Sequence, residues 1–328
     1  MTMRSKRSFA VIGAGRAGVG LALALARCGY RLTSLVAHSG RSATRLRSWL
    51  PAALRDAVTT DLVRALDRAE TILICVPDRQ IHEVARSLAS RTPGGRRSLS
   101  GLAVLHASGA QPASILAPLR RRGAAIGCLH PLFSFPPPGS RPLDLSGVCF
   151  GIEGDRAAAR AARAMASSVG GVPFGLPRSR TAYHLAASLL ANGSVALMEA
   201  GLLIAARGMR VSASRARELF LPLVSSAIKN VSVLGPGRAL TGPVARGDLR
   251  TVAGHLEQLA KGDPAIKGLY GHLALIAARM SHAGGRLDSS GIASMRRLLA
   301  STGIPLTASG RSLRMRRGSK HNAARRDT

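Results

Sequence analysis

The sequence predicts an α/β chain: a doubly wound, mostly parallel sheet followed by an all-helical domain. Three observations carry that expectation. Short apolar or β-branched runs alternate with helical stretches through the first half. A glycine-rich turn joins the first run to the first helix, and strand signals stop after about residue 177. Parallel strands need a crossover between them, and alternation with short connections supplies one each time.

Taken in order, "FAVIGAG" reads as a strand and "GVGLALALARCG" as a helix; "RLTSLVA" and "SATRLRSWL" repeat the pair. "TILICVPD" is a continuous apolar run of the kind buried on both faces of a parallel sheet. Pro77 should end that strand, and Asp78 is expected to cap the helix "RQIHEVARSLA". "GLAVLHASGA", "AAIGCLHPLFSF", "GVCFGIEG" and "GVPFGLP" add strands, with the helix "DRAAARAARAMASSVG" between the last two. Pro136, Pro137 and Pro138 mark an exposed loop.

Residues 181–207, 212–234, 249–261, 264–283 and 288–300 then read as helices separated by Gly and Pro. The expected domains are therefore 8–176 for the sheet and 177–300 for the helices. A basic, aperiodic tail at 301–328 is expected to be disordered.

"VIGAGRAGVG" places Gly13, Gly15 and Gly18 in GxGxxG spacing after a strand and at the start of a helix, the context that makes this motif specific for a dinucleotide. Gly13 permits the turn, Gly15 lets backbone approach a pyrophosphate, and Gly18 lets helix and strand pack closely. Arg16 opens the helix beside them, and the helix N-terminus offers free N–H groups to phosphate. Val76, Pro77 and Ser108 should border the cofactor at the carboxyl edge of the sheet.

The second strand would end in Asp or Glu in a chain that holds the ribose hydroxyls of NAD. Here it runs into "HSGRS", so Ser39, Arg41 and Ser42 read as a clamp for a ribose 2′-phosphate. A carboxylate would repel that phosphate, whereas Arg pairs with it bidentately. The expected cofactor is NADP(H) in preference to NAD(H).

"HASGA", "HPLFSF", "YHLAASLLAN" and "ALTGPVARGDLRTVAGHL", with the glycine motif, resemble a family of Rossmann-like proteins provisionally assigned as NADP oxidoreductases. The C-terminal half of that family is catalogued as a domain of unknown function, counted from about residue 146. The resemblance spans roughly residues 8–280, and TGPxARGD is its most specific motif. The family looks like a relative of pyrroline-5-carboxylate reductase and of the 6-phosphogluconate dehydrogenase group. Those relatives imply hydride transfer and a helical domain that dimerises and closes over the nicotinamide. The dehydrogenases of this superfamily place a Lys on the helix after the sheet; no Lys occurs between residues 181 and 207, so their mechanism does not transfer directly.

Four residues are catalytic candidates. At about 100° per residue, His184, Ser188, Asn192 and Glu199 fall within about 80° of one another on one continuous helix. His184 would exchange the proton that accompanies hydride transfer, and Asn192 would orient the substrate. His106 and His130 each end a strand and could reach the same crevice; either could equally hold structure by hydrogen bonding. Thr241 and Arg246, in "TGPVARGD", are candidates for binding a substrate carboxylate or phosphate, while Asp248 should cap the next helix. No metal-ligand spacing stands out among His, Cys, Asp and Glu.

Composition narrows the classes. The formal charge is +31, carried by 42 Arg and 5 Lys, which attracts polyanions unless it is a compositional bias. Only 3% of residues are aromatic, too few for a base-stacking platform. Cys28, Cys75, Cys128 and Cys149, without CxxC spacing and in apolar surroundings, read as buried thiols of a reducing compartment. The N-terminus runs straight into a strand pattern with no signal-peptide segment, and "AYHLAASLLANGSVALMEAGLLIAA" reads as a buried helix rather than a membrane span.

The expectation is a cytoplasmic homodimer, free of membrane, that oxidises or reduces a small anionic carbonyl, imine or hydroxy compound. Two rival readings remain: an NADP-binding sensor or scaffold without turnover, and a polyanion binder acting through the basic tail.

Overall fold

The computed structural model describes residues 7–91, 98–139 and 143–304. Nearly all of the expected basic tail, from residue 305 onward, lies outside the described residues.

The first half alternates as the hydropathy pattern requires. Strand β1 (Ser8–Ile12) leads into helix α1 (Arg16–Arg27), β2 (Arg31–Val36), α2 (Gly40–Trp49), the two-residue β3 (Val58–Thr59), β4 (Thr71–Ile74) and α3 (Asp78–Ser90). Then come β5 (Ala103–His106), the single turn α4 (Ala117–Arg120), β6 (Ala125–Pro131), β7 (Cys149–Gly154), α5 (Arg156–Ser168) and β8 (Val172–Gly175). The eight strands form one sheet in the order β3-β2-β1-β4-β5-β6-β7-β8. Every pairing is parallel except β6 with β7. The sheet is doubly wound and mostly parallel, as the alternation of elements predicted.

Burial explains why the strands read as unbroken apolar runs. Phe9 and Val11 enter one core layer with Leu35, Leu73 and Leu105, whereas Ala10 and Ile12 enter another with Ile72, Ile74 and Val104. Successive residues point to opposite faces, and both faces are covered, so both register positions are mostly apolar, with Ser8, Ser34, Thr71 and His106 as buried polar exceptions. Of the four cysteines Cys128 is buried and Cys75 half-buried, whereas Cys28 and Cys149 are exposed, contrary to expectation. The chain winds outward from β1 to β3 and returns at β4, leaving the switch of direction between β1 and β4. Ligands of open α/β sheets bind at such a switch, beyond the carboxyl ends of the strands.

Asp78 departs from expectation. Helix α3 begins at Asp78 itself with Pro77 as its N-cap, and no side-chain cap bond forms. The carboxylate sits in the first turn, where it still favours the positive end of the helix dipole.

The helical half runs α6 (Arg180–Ser188), a π-turn (Leu189–Gly193), α7 (Ser194–Met209), α8 (Ala213–Leu234), the short α9 (Pro236–Ala239) and α10 (Pro243–Arg246), α11 (Leu249–Ala260), α12 (Pro264–Ala283) and α13 (Ser289–Ser301). The chain divides into two compact units, Met1–Ser194 and Val195–Thr328. The second has a small core drawn from α11, α12 and α13, including Val252, Leu256, Leu275, Met295 and Leu299. Ser212, Asp248, Asp263 and Asp288 each cap a helix by accepting a backbone N–H.

The long apolar helix is not buried within its chain, contrary to expectation. The segment Arg180–Met209 is long and apolar enough, by length and composition, to cross a membrane, and 6% of its most apolar window is buried. Leu189, Leu190 and Val195 are exposed, as are Leu223, Ile228 and Val233 on α8. Hydropathy records only that these side chains avoid water; it does not say which surface covers them.

Candidate functional site

A cavity of about 380 Å³ lies at the switch point, lined in part by Gly13, Gly15, Val76 and Pro77. Gly13 takes φ +106, and a Cβ there would stand 2.5 Å from the carbonyl oxygen of Cys75. A Cβ on Gly18 would run into the carbonyl of Gly13, so the helix can approach the strand only as glycine. At Gly15, by contrast, an added Cβ meets no protein atom within 4 Å. That open approach to backbone is what a pyrophosphate requires, so the loop fits a dinucleotide.

The stretch after β2 divides residue by residue. Ser39 is the N-cap of α2, its Oγ accepting from the backbone N–H of Ser42 at 3.3 Å. Its Oγ also lies 3.1 Å from that of Ser42. Ser42 lines the cavity with His38, Arg45 and Trp49, whereas Arg41 is exposed and is not part of the lining. The guanidinium of Arg45 stacks 5.3 Å from the centre of the Trp49 ring. Residues 42, 45 and 49 share one face of a helix that starts at residue 40, so the cap and the helical period together point to this lining. Arg16 lines a different cavity, on the outer side of α1.

His106 and Ser108 organise the turn after β5. The Ser108 N–H donates to His106 Nδ1 at 3.2 Å, which leaves Nε2 carrying the proton and facing the Pro112 carbonyl at 3.3 Å. Burial lowers the His106 pKa to about 4, against an opposing pull from the Pro112 carbonyl. Both ring nitrogens are thus engaged by backbone, and the ring is neutral at physiological pH. The Ser108 hydroxyl accepts from the N–H groups of Ala110 and Gln111.

His130 lies two residues further along β6 than Cys128, the partner of His106 in the sheet register. Its ring packs so closely on Gly109 that a Cβ there would stand 2.7 Å from the imidazole. Nδ1 of His130 lies 2.7 Å from the hydroxyl of Tyr183, the rings meeting edge to face. Burial first, then the neighbouring charges of His184 and Arg180, lower the His130 pKa to about 4. Burial likewise raises Tyr183 to about 12. The couple at neutral pH is therefore an uncharged imidazole and an uncharged phenol, with the hydroxyl able to donate. Arg180, whose side chain is 11% exposed, forms an ion pair with Glu153 beside it.

Tyr183 is the functional candidate that sequence reasoning misses. It precedes His184 in the "YHLAASLLAN" motif, but the helical phase draws attention to the histidine. His184 is exposed on α6, and Asn192 sits within the π-turn, its Nδ2 donating to Ser188 Oγ at 3.4 Å. The π-turn interrupts the regular 100° phase on which the single stripe of His184, Ser188, Asn192 and Glu199 rests.

Thr241 and Arg246 belong to the second unit and are exposed. Thr241 precedes, and Arg246 closes, the turn that runs from Gly242 (φ +95) to Gly247 (φ +72). Arg286 donates to the Leu240 carbonyl at 2.7 Å, and buried Ser281 donates to the Ala245 carbonyl at 2.7 Å. The turn of the TGPxARGD motif thus has a structural duty, in which, among the described residues, the Thr241 and Arg246 side chains take no hydrogen-bonding part. Asp248 caps α11 as expected. Among the described residues no group of three His, Cys, Asp or Glu side chains is placed to hold a metal.

Residues 2–131 match the Rossmann-like domain family, and residues 148–276 match the domain of unknown function DUF2520. This is the pairing the sequence motifs resemble. No curated protein matches the chain. Among solved structures, a Bacteroides fragilis protein provisionally assigned as an NADP oxidoreductase is 24% identical with a TM-score of 0.68, covering 83% of this chain and 98% of its own. A Thermotoga maritima protein is 23% identical with a TM-score of 0.64, covering 84% of this chain and 99% of its own. A Coxiella burnetii pyrroline-5-carboxylate reductase is 14% identical with a TM-score of 0.52, covering 90% and 99%. At these identities the likeness is one of fold.

Proposed function

We propose that this chain, a Rossmann-like domain continued by DUF2520, is a nicotinamide-dependent oxidoreductase that prefers NADP(H). Its substrate would be a small anionic carbonyl, imine or hydroxy compound. The observation that carries the reading is the glycine cradle at the switch point, where Gly15 leaves its backbone open to a pyrophosphate. The solved structures of like fold include proteins named for NADP oxidoreduction and for reduction of pyrroline-5-carboxylate. A guanidinium rather than a carboxylate borders the nucleotide cavity, which favours a phosphorylated ribose.

When bound, the nicotinamide supplies or accepts the hydride. The chain's own contribution is the matching proton. His130 and Tyr183, beyond the carboxyl edge of the sheet, offer a hydroxyl hydrogen-bonded to an imidazole at 2.7 Å. In the reducing direction Tyr183 would donate its proton to the substrate oxygen or nitrogen, with His130 as the Nδ1–H tautomer donating to the phenolate oxygen left behind. His184 and Asn192, exposed on the adjoining helical segment, are read as substrate contacts.

The exposed apolar side chains of α7 and α8 are read as a homodimer interface. Light scattering at micromolar concentration should report a dimer; a monomer would remove that part of the reading.

The test is oxidation of NADPH across a panel of ketoacids, cyclic imines and aldehydes, with the reverse assay on hydroxyacids. Turnover of any anionic member supports the reading. Tight NADPH binding with no turnover across the panel would make the chain a cofactor-binding sensor instead.

A further inference from the structure

The cavity on the outer side of α1 belongs to none of this chemistry. It has a volume of about 660 Å³, within the range of small-molecule sites, and it shares one wall residue, Trp49, with the nucleotide cavity. Its floor is the outer face of α1, from Val19 through Leu23 to Ala26, and Leu54 and Phe135 close the sides. Such a lining favours an apolar body.

Charge selects the head group. Arg16 and Arg27 stand at the two ends of that helix face, and among the described residues no Asp or Glu lines the cavity. Arg27 is accounted for: it donates to the Leu143 carbonyl at 2.7 Å and sits in the last turn of α1, where a cation suits the helix dipole. Arg16 is exposed and has no carboxylate partner among the described residues. A guanidinium at one end of an apolar trough matches a molecule with one anionic head and an apolar tail.

We infer that this cleft binds an amphipathic monoanion, an acyl or aryl carboxylate, with its carboxylate at Arg16 and its tail along α1 toward Trp49 and Leu54. The site is separate from the nucleotide cradle, so the inference does not depend on the proposed reaction.

Trp49 is the chain's only tryptophan, so its fluorescence reports on the cleft. Decanoate, titrated without nucleotide into the full-length protein, should change Trp49 emission saturably. Decanamide, which has no charge, should bind at least tenfold more weakly, and so should decanoate to Arg16→Ala. Ala26→Glu should abolish the decanoate signal by placing a carboxylate in the trough, and Leu54→Glu repeats that test from the opposite wall. Calorimetry should show NADPH binding retained in both Glu variants, which separates this site from the cofactor reading. No saturable change, equal affinity for decanoate and decanamide, or an undiminished signal in both Glu variants would overturn the inference; the last result would place decanoate elsewhere, for example on the apolar faces of α7 and α8.

Discussion

Leu105 on β5 and Leu223 on α8 are the same side chain in two opposite circumstances. The first is 0% exposed, pressed between the sheet and its covering helices, and the second is 65% exposed. The central strands β1, β4 and β5 bury their apolar pattern within their own chain. In the helical unit α11, α12 and α13 form a small core, while α7 and α8 keep apolar faces open. One region is complete as a folded object, and the other has surfaces that gain from being covered. The difference teaches that an apolar run fixes what a segment avoids, and that its partner must be sought elsewhere.

The sharpest way to break the comparison is in the sheet unit, where nothing can give. Gly18→Val drives a side chain into the Gly13 carbonyl. It should cost about 3 kcal/mol or more by overpacking and abolish the calorimetric signal of nucleotide binding. Retained binding would show that the cradle is looser than its geometry implies.

The buried histidine turn gives an effect of similar size that depends on pH. His106 falls from an ordinary 6.5 to about 4 because burial disfavours its charged form. Between those values the unfolded chain binds the proton that the folded chain refuses, so stability rises with pH across that window. The share of stability that His106 contributes should be full above about pH 6.5 and fall by roughly 3 kcal/mol as the pH drops toward 4, at about 1.4 kcal/mol for each pH unit crossed; His130, lowered to about 4 by burial as well, adds its own share in the same window. Denaturation midpoints at several pH values check it: His106→Asn should remove about half of the slope, and an unchanged slope would contradict the assignment.

For the helical unit, Leu223→Glu separates a covered face from a free one. On a free surface the substitution is nearly neutral. If α8 packs against a second copy, it buries an unpaired charge at a cost of about 3 kcal/mol, or more than ~100-fold in dimer dissociation. Analytical ultracentrifugation reads the difference, and the expected outcome is a folded monomer.

Sequence reading and structure agree where physics is local. Apolar runs, glycine spacing and caps locate the bounds of α8, α11, α12 and α13 to within a residue or so; seven of the eight strands are read, though by up to four residues too long at one end, and the two-residue β3 is missed. The Ser39 cap even announces which face of α2 meets the cavity, yet Arg41 attracts the clamp reading because it lies nearest the end of β2. What stays hidden depends on contacts distant in sequence. Tyr183 meets His130 across more than fifty positions, and Gly109 makes room for that ring from a different strand end. The π-turn at Leu189–Gly193 has no marker that a 100° helical wheel can register.

Two smaller effects sharpen the site itself. Tyr183→Phe removes the hydroxyl that pairs with His130 while leaving the ring packing, so kcat should fall about 100-fold with cofactor affinity unchanged. A proportional loss of NADPH binding would point to a structural role instead. Arg45→Ala should lower the preference for NADPH over NADH about tenfold, and Arg41→Ala should change it little. The reverse order would return the clamp to Arg41.

The most direct measurement is calorimetric titration of the purified protein with NADPH and, separately, NADH. A cradle of glycine backbone bordered by a guanidinium should give saturable heat with both and tighter binding of NADPH. No heat from either nucleotide would contradict the dinucleotide reading on which the proposed chemistry rests.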